Sequence, residues 1–192
     1  MCIEILKNPV AAIIRAKKKN TKETWTALVC ASVLFAIATG VAVLRSGGFS
    51  QVALPIAAVT MVSVFVVVLI ISIVLGYILK IIVTTLGGSG KYHEGLTIIS
   101  YSILPISAAL LVAVILTMVP AVGVLLSVIV LAAGFATGLS LLYSGIKELF
   151  KTDMVVALIA VSVLILVLFV SLSASFGLST LMQLGRIVPI GV

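Results

Sequence analysis

Charge divides this chain more sharply than any motif does. Four stretches, 24–44, 46–79, 95–146 and 154–185, contain no Asp, Glu, Lys or Arg and are dominated by aliphatic residues. A helix needs about 20 apolar residues to cross a hydrocarbon core of roughly 30 Å. The 52-residue window 95–146 would run about 78 Å as one helix, so it must fold back, and Pro120-Ala121-Val122-Gly123 marks the hairpin. Only 9% of the residues are charged and the mean hydropathy is +1.47, whereas about a quarter of a soluble domain is charged. A soluble globule and a disordered chain are both excluded.

The expected fold is all-α: a polytopic integral membrane protein of five transmembrane helices, preceded by a short interfacial amphipathic helix. Segment 1–22 is a cytoplasmic amphipathic basic stretch. The five-helix membrane domain covers 23–176, with spans near 24–45, 53–86, 96–119, 122–150 and 152–174, and 177–192 is an external tail. The distribution of basic residues supports this count. With the N-terminus cytoplasmic, ten of the twelve Lys and Arg fall on inner segments, and only Arg45 and Arg186 fall outside, as the positive-inside rule requires.

Local signals mark the boundaries. Asn8-Pro9 reads as an N-cap and first helical position, opening a helix to about Lys19 that lies on the inner leaflet. Arg15, Lys17, Lys18, Lys19 and Lys22 then face anionic headgroups. Asn20 with Glu23 resembles a capping box for the first span, and Thr152 or Asp153 can cap the fifth. Trp25 and Tyr92 suit the headgroup level. The pairs Ala36/Gly40 and Gly134/Gly138 have the spacing that lets helix backbones approach closely. They suit packing within the bundle or self-association.

Chemistry-bearing constellations fail on inspection. Gly87-Gly88-Ser89-Gly90-Lys91 is glycine-rich, but Thr85 stands where a phosphate loop needs its first glycine, and Tyr92 replaces the metal-binding hydroxyl. His93 is the sole histidine, which leaves no zinc-protease pair, catalytic triad or metal cluster. Cys2 and Cys30 lack ligand spacing. The span centres carry hydroxyls but no ionisable group, unlike a proton pump. The basic residues flank spans, so nucleic acid is not the partner. No enzyme, cofactor or metal is expected.

A further set of residues carries a family resemblance. Pro9 lies in the amphipathic start, Gly87-Gly88-Ser89-Gly90-Lys91-Tyr92 with Glu94 forms an inner turn after the second span, and Tyr101-Ser102-Ile103-Leu104-Pro105 lies in the third. The chain resembles the Yip family, the Ypt/Rab-interacting membrane proteins, and most of all its compact prokaryotic members. That resemblance implies a five-helix domain with a cytoplasmic N-terminus in a prokaryotic cell membrane. In eukaryotes the family is associated with Rab-type GTPases, vesicle budding and membrane shape. The basic Leu6-Lys7-Asn8-Pro9 stands where those members carry an acidic element, which argues against small-GTPase binding here.

The functional expectation is a non-enzymatic membrane scaffold or membrane-organising, trafficking-type protein. It acts through its cytoplasmic face on membrane lipids and on homo- or hetero-oligomeric membrane partners. The alternative is a small transporter or channel with a path near the kinked third span. Pro105 removes a backbone donor from the carbonyl of Tyr101, and Ser102 or a neighbouring hydroxyl is expected to supply one. Tyr101 and Pro105, four residues apart, share a helix face that should point into the bundle.

Overall fold

A computed structural model describes residues 21–47, 53–119 and 122–167. Among these there are five helices and no strand: α1 (Thr21–Ser46), α2 (Ala53–Thr85), α3 (Tyr92–Leu116), α4 (Val122–Leu149) and α5 (Met154–Val167). The first four are long and apolar enough to cross a membrane. The described part of α5 rises about 21 Å at 1.5 Å per residue, less than a bilayer core. Pro9, Arg15, Lys17, Lys18, Lys19, the interfacial helix, the Asn20 cap, Pro120 and Ala121 of the α3–α4 hairpin and the tail 177–192 lie outside the described residues.

The third helix is the axle of the bundle, with α1, α2 and α4 packed around it. Small residues explain how three helices come so close. Gly95 of α3 lies against α2, where an added Cβ would stand 2.6 Å from the Gly76 carbonyl oxygen. On α4, Gly134 meets Ala109, Gly138 meets Ile106, and Gly145 meets Ile98, all of α3. Where no Cβ intervenes, backbones approach and dispersion contacts accumulate along the seam. Gly40 of α1 instead faces the Met61 side chain of α2, and Ala36 is buried one turn away. The contacts run antiparallel between sequence neighbours, while α1 and α3 are parallel. Thr24 meets Thr97 near the start of both, and Arg45 donates to the Thr117 hydroxyl at the ends of both.

The third helix differs from the sequence expectation at both ends, for separate local reasons. The third helix begins at Tyr92 rather than near 96, because the Glu94 carboxylate accepts the Lys91 backbone N–H at 2.9 Å. The Lys91 ammonium has no acceptor to return that bond, so the capping box is one-sided. The helix ends at Leu116, where Thr117 closes back onto Ala113 at 3.0 Å. Charged residues are excluded from the hydrocarbon, not from a helix that extends beyond it. At the other end of the bundle's connections, the Thr152 hydroxyl donates to the Ile146 carbonyl at 3.5 Å instead of capping α5.

Candidate functional site

The start of α1, the α2–α3 turn and the α4–α5 turn lie at the same end of the bundle. That end carries Lys22, Glu23, Lys91, Glu94, Lys147, Glu148, Lys151 and Asp153. Among the described residues, Arg45 is the only charged side chain at the opposite end.

Two matching backbone turns make this polar end rigid. After α2, Gly87 takes φ 85°. The Gly88 N–H reaches the Val83 carbonyl at 2.9 Å, and the Gly87 N–H reaches Thr84 at 3.2 Å. This is the paired bonding of a Schellman cap. After α4, Lys151 takes φ 50° and the Thr152 N–H reaches Lys147 at 3.3 Å. The two turns are tied together by Ser89 N–H donating to the Phe150 carbonyl at 3.4 Å. Phe150 is fully buried directly under Gly90, where any Cβ would collide with its ring. At Gly88 a Cβ would stand 2.5 Å from Val83 and 2.6 Å from Thr152. Gly88 and Gly90 therefore do steric work: they let the turn lie flat on the Phe150 plug.

A hydrogen-bond hub joins α1 to α3 beneath that end. Thr97 Oγ1 lies 2.8 Å from the His93 carbonyl, 3.1 Å from His93 Nδ1 and 2.9 Å from Thr24 Oγ1. A hydroxyl has one proton, and the carbonyl can only accept it. The other two bonds are then accepted by Thr97 Oγ1, from the Thr24 hydroxyl and from His93 Nδ1–H. Thr24 and Thr97 are both buried, where an unmade bond is costly. Tyr92 lies along α2, its hydroxyl 3.4 Å from the Ile73 carbonyl and its ring 6.3 Å from that of Tyr77.

Tyr101, Ser102 and Pro105 form a second group, deeper in the bundle. All three are buried on α3. Pro105 lies beside Gly134 of α4, and the Ser102 carbonyl beside Gly138. Ser102 does not serve the Tyr101 carbonyl: its Oγ is buried with no hydrogen-bond partner. A helical serine points back toward the carbonyls three and four residues earlier, not toward that of the preceding residue. Buried Ser32, Ser72, Ser100, Ser107 and Ser127 do bond such carbonyls, at 2.7–2.9 Å.

Sequence reasoning brought Gly87, Gly88, Gly90, Tyr92, Glu94 and Lys22 to this end, but it missed Phe150, the Thr24–Thr97–His93 hub, and Gly76, Gly95 and Gly145. The glycines carried a legible signal, since glycine inside a helix costs about 1 kcal/mol against alanine and usually marks close packing. Among the described residues, no three His, Cys, Asp or Glu side chains come together in a way that could hold a metal ion. What the end offers is a polar surface with lysines and carboxylates interspersed, held by paired backbone turns.

Long apolar helices packed through glycine seams, with charge gathered at one end, define an integral membrane protein of the helical-bundle class. The sequence model of the Yip1 domain matches residues 3–175. The chain belongs to the Yip family. Comparison with curated proteins and with solved structures returns no match.

Proposed function

We propose that the protein is a non-enzymatic membrane scaffold whose polar end is cytoplasmic and organises lipids and membrane-protein partners at the inner surface of a prokaryotic membrane. In this reading α5 continues beyond Val167 as a fifth span, and the basic segment 1–22 lies on the inner leaflet beside the polar end. Small GTPases are not among the partners. The observation that carries the proposal is the stitched pair of turns around Phe150, a platform at the end where charged side chains of both signs gather. The back-bonded serines of the interior add support, since hydroxyls spent on their own helices offer little to a passing solute.

The rival reading, a small-solute path, draws on Ser102, the one buried hydroxyl among the described residues without a partner. Reconstitution into liposomes of mixed zwitterionic and anionic lipid separates the two. The scaffold reading expects altered vesicle shape or clustering with no solute flux above protein-free vesicles. Saturable flux of a specific solute, lost in Ser102→Ala, would overturn it in favour of the path.

A further inference from the structure

One face of α1 is turned into the bundle. Thr24 joins Thr97 at 2.9 Å and is 1% exposed. At about 100° per residue, Lys22, Thr26 and Val29 fall on the face opposite Thr24, and Trp25 lies about a quarter-turn from it. Trp25, Val29, Val33 and Ile37 are indeed exposed at four-residue steps. Over the first two turns this face borders a shallow, open hollow. Lys22, Trp25, Thr26, Val29 and Cys30 line a groove of about 510 Å³.

The chemistry of the groove changes along its length. Its walls are apolar apart from Thr26, whose hydroxyl is bonded to the Lys22 and Glu23 carbonyls at 2.7 and 3.0 Å. Lys22 is exposed at the mouth, while Glu23, one step round the helix, is half-buried on the side toward Thr24. The positive end of the helix lies at the same mouth. A ligand matching this order has an anionic head and an apolar chain.

We propose that the groove is a binding site for one anionic glycerophospholipid, with its phosphate on the Lys22 ammonium, its glycerol level beside the Trp25 indole and one acyl chain running past Val29 toward Val33 and Ile37. Two other surfaces among the described residues differ. Helix α2 exposes more apolar area, from Leu54 to Ile81, without a cation at the head of a groove. The smaller hollow at the opposite end contains Arg45, but that guanidinium is engaged by the Thr117 hydroxyl. The site requires only that the chain sit in a bilayer, so it stands apart from the scaffold reading.

Trp25 is the sole tryptophan, which makes the test direct. The full chain is reconstituted in phosphatidylcholine vesicles doped with dibrominated phosphatidylglycerol or dibrominated phosphatidylcholine, and Trp25 emission is followed. Half-maximal quenching should need a several-fold lower mole fraction of the anionic lipid. Lys22→Gln should erase that preference, while Lys22→Arg and Arg45→Gln keep it. Equal quenching by the two lipids would reduce the groove to ordinary annular contact, and no quenching by either would mean that protein covers it. A preference that survives Lys22→Gln would assign the effect to general surface charge. Each of these results overturns the site, and none reads vesicle shape or flux.

Discussion

Gly87 and Lys151 hold equivalent positions in the two turns of the polar end, yet only one of them suits the backbone it adopts. Left-handed φ values of 85° and 50° cost a residue with a Cβ about 1–2 kcal/mol and glycine almost nothing. Gly87→Ala should therefore destabilise the bundle by about 1 kcal/mol although no atom lies within 4 Å of the new Cβ. Lys151→Gly should stabilise it by a similar amount. Thermal unfolding of both variants in mild detergent checks the opposite signs; shifts in the same direction would show that something other than backbone conformation decides these turns. The hub beneath them depends on hydrogen bonding instead. Thr97→Val keeps the shape but removes the acceptor for Thr24 and His93, and should cost about 1–3 kcal/mol. Thr24→Val alone should cost less than Thr97→Val, because Thr97 keeps its bonds to His93.

Between helices, the outcome of a substitution depends on whether the opposing atom can move. Gly95 faces the backbone carbonyl of Gly76, whereas Gly40 faces the flexible end of Met61. Gly95→Ala should push α2 and α3 apart and cost about 1–3 kcal/mol. Gly40→Ala should cost under about 1 kcal/mol, since the methionine can swing aside. Equal gains in the two variants, measured by thermal unfolding, would show that helix propensity rather than packing sets the effect. The same contrast explains what the sequence could and could not disclose. Helices α2 (Ala53–Thr85) and α4 (Val122–Leu149) fill stretches that the sequence brackets with glycine turns and charges. The start of α3 was less legible: Tyr92, His93 and Glu94 are helical but polar, and a hydropathy boundary falls inside the helix. Phe150 under Gly90 and Thr24 on Thr97 are unions of residues 60 or more positions apart. No local pattern encodes such a pairing; it follows from how three helix axes settle around α3.

For the molecule as a whole, the contacts bear directly on how it sits in a bilayer. Helix α2 has 33 residues, about 50 Å of rise against a core of roughly 30 Å, so it must tilt or project. Lys80 lies five residues before its end, near enough to reach the headgroups by extending its stem. Antiparallel packing of α1 on α2 and of α2 on α3 places Ser46 and Ser89 on opposite sides of the membrane, and both are exposed. On the proposed orientation, with Cys2 and Cys30 replaced by Ser, a cysteine substituted at Ser46 should react with a membrane-impermeant maleimide added to intact cells. One substituted at Ser89 should react only after permeabilisation. The reverse pattern would invert the insertion, moving the scaffold's working surface outside while leaving every helix contact intact. Reaction of both from the same side would contradict the packing itself, because Gly95 could not then lie on Gly76 while Gly40 lies on Met61 in a single bilayer-spanning bundle.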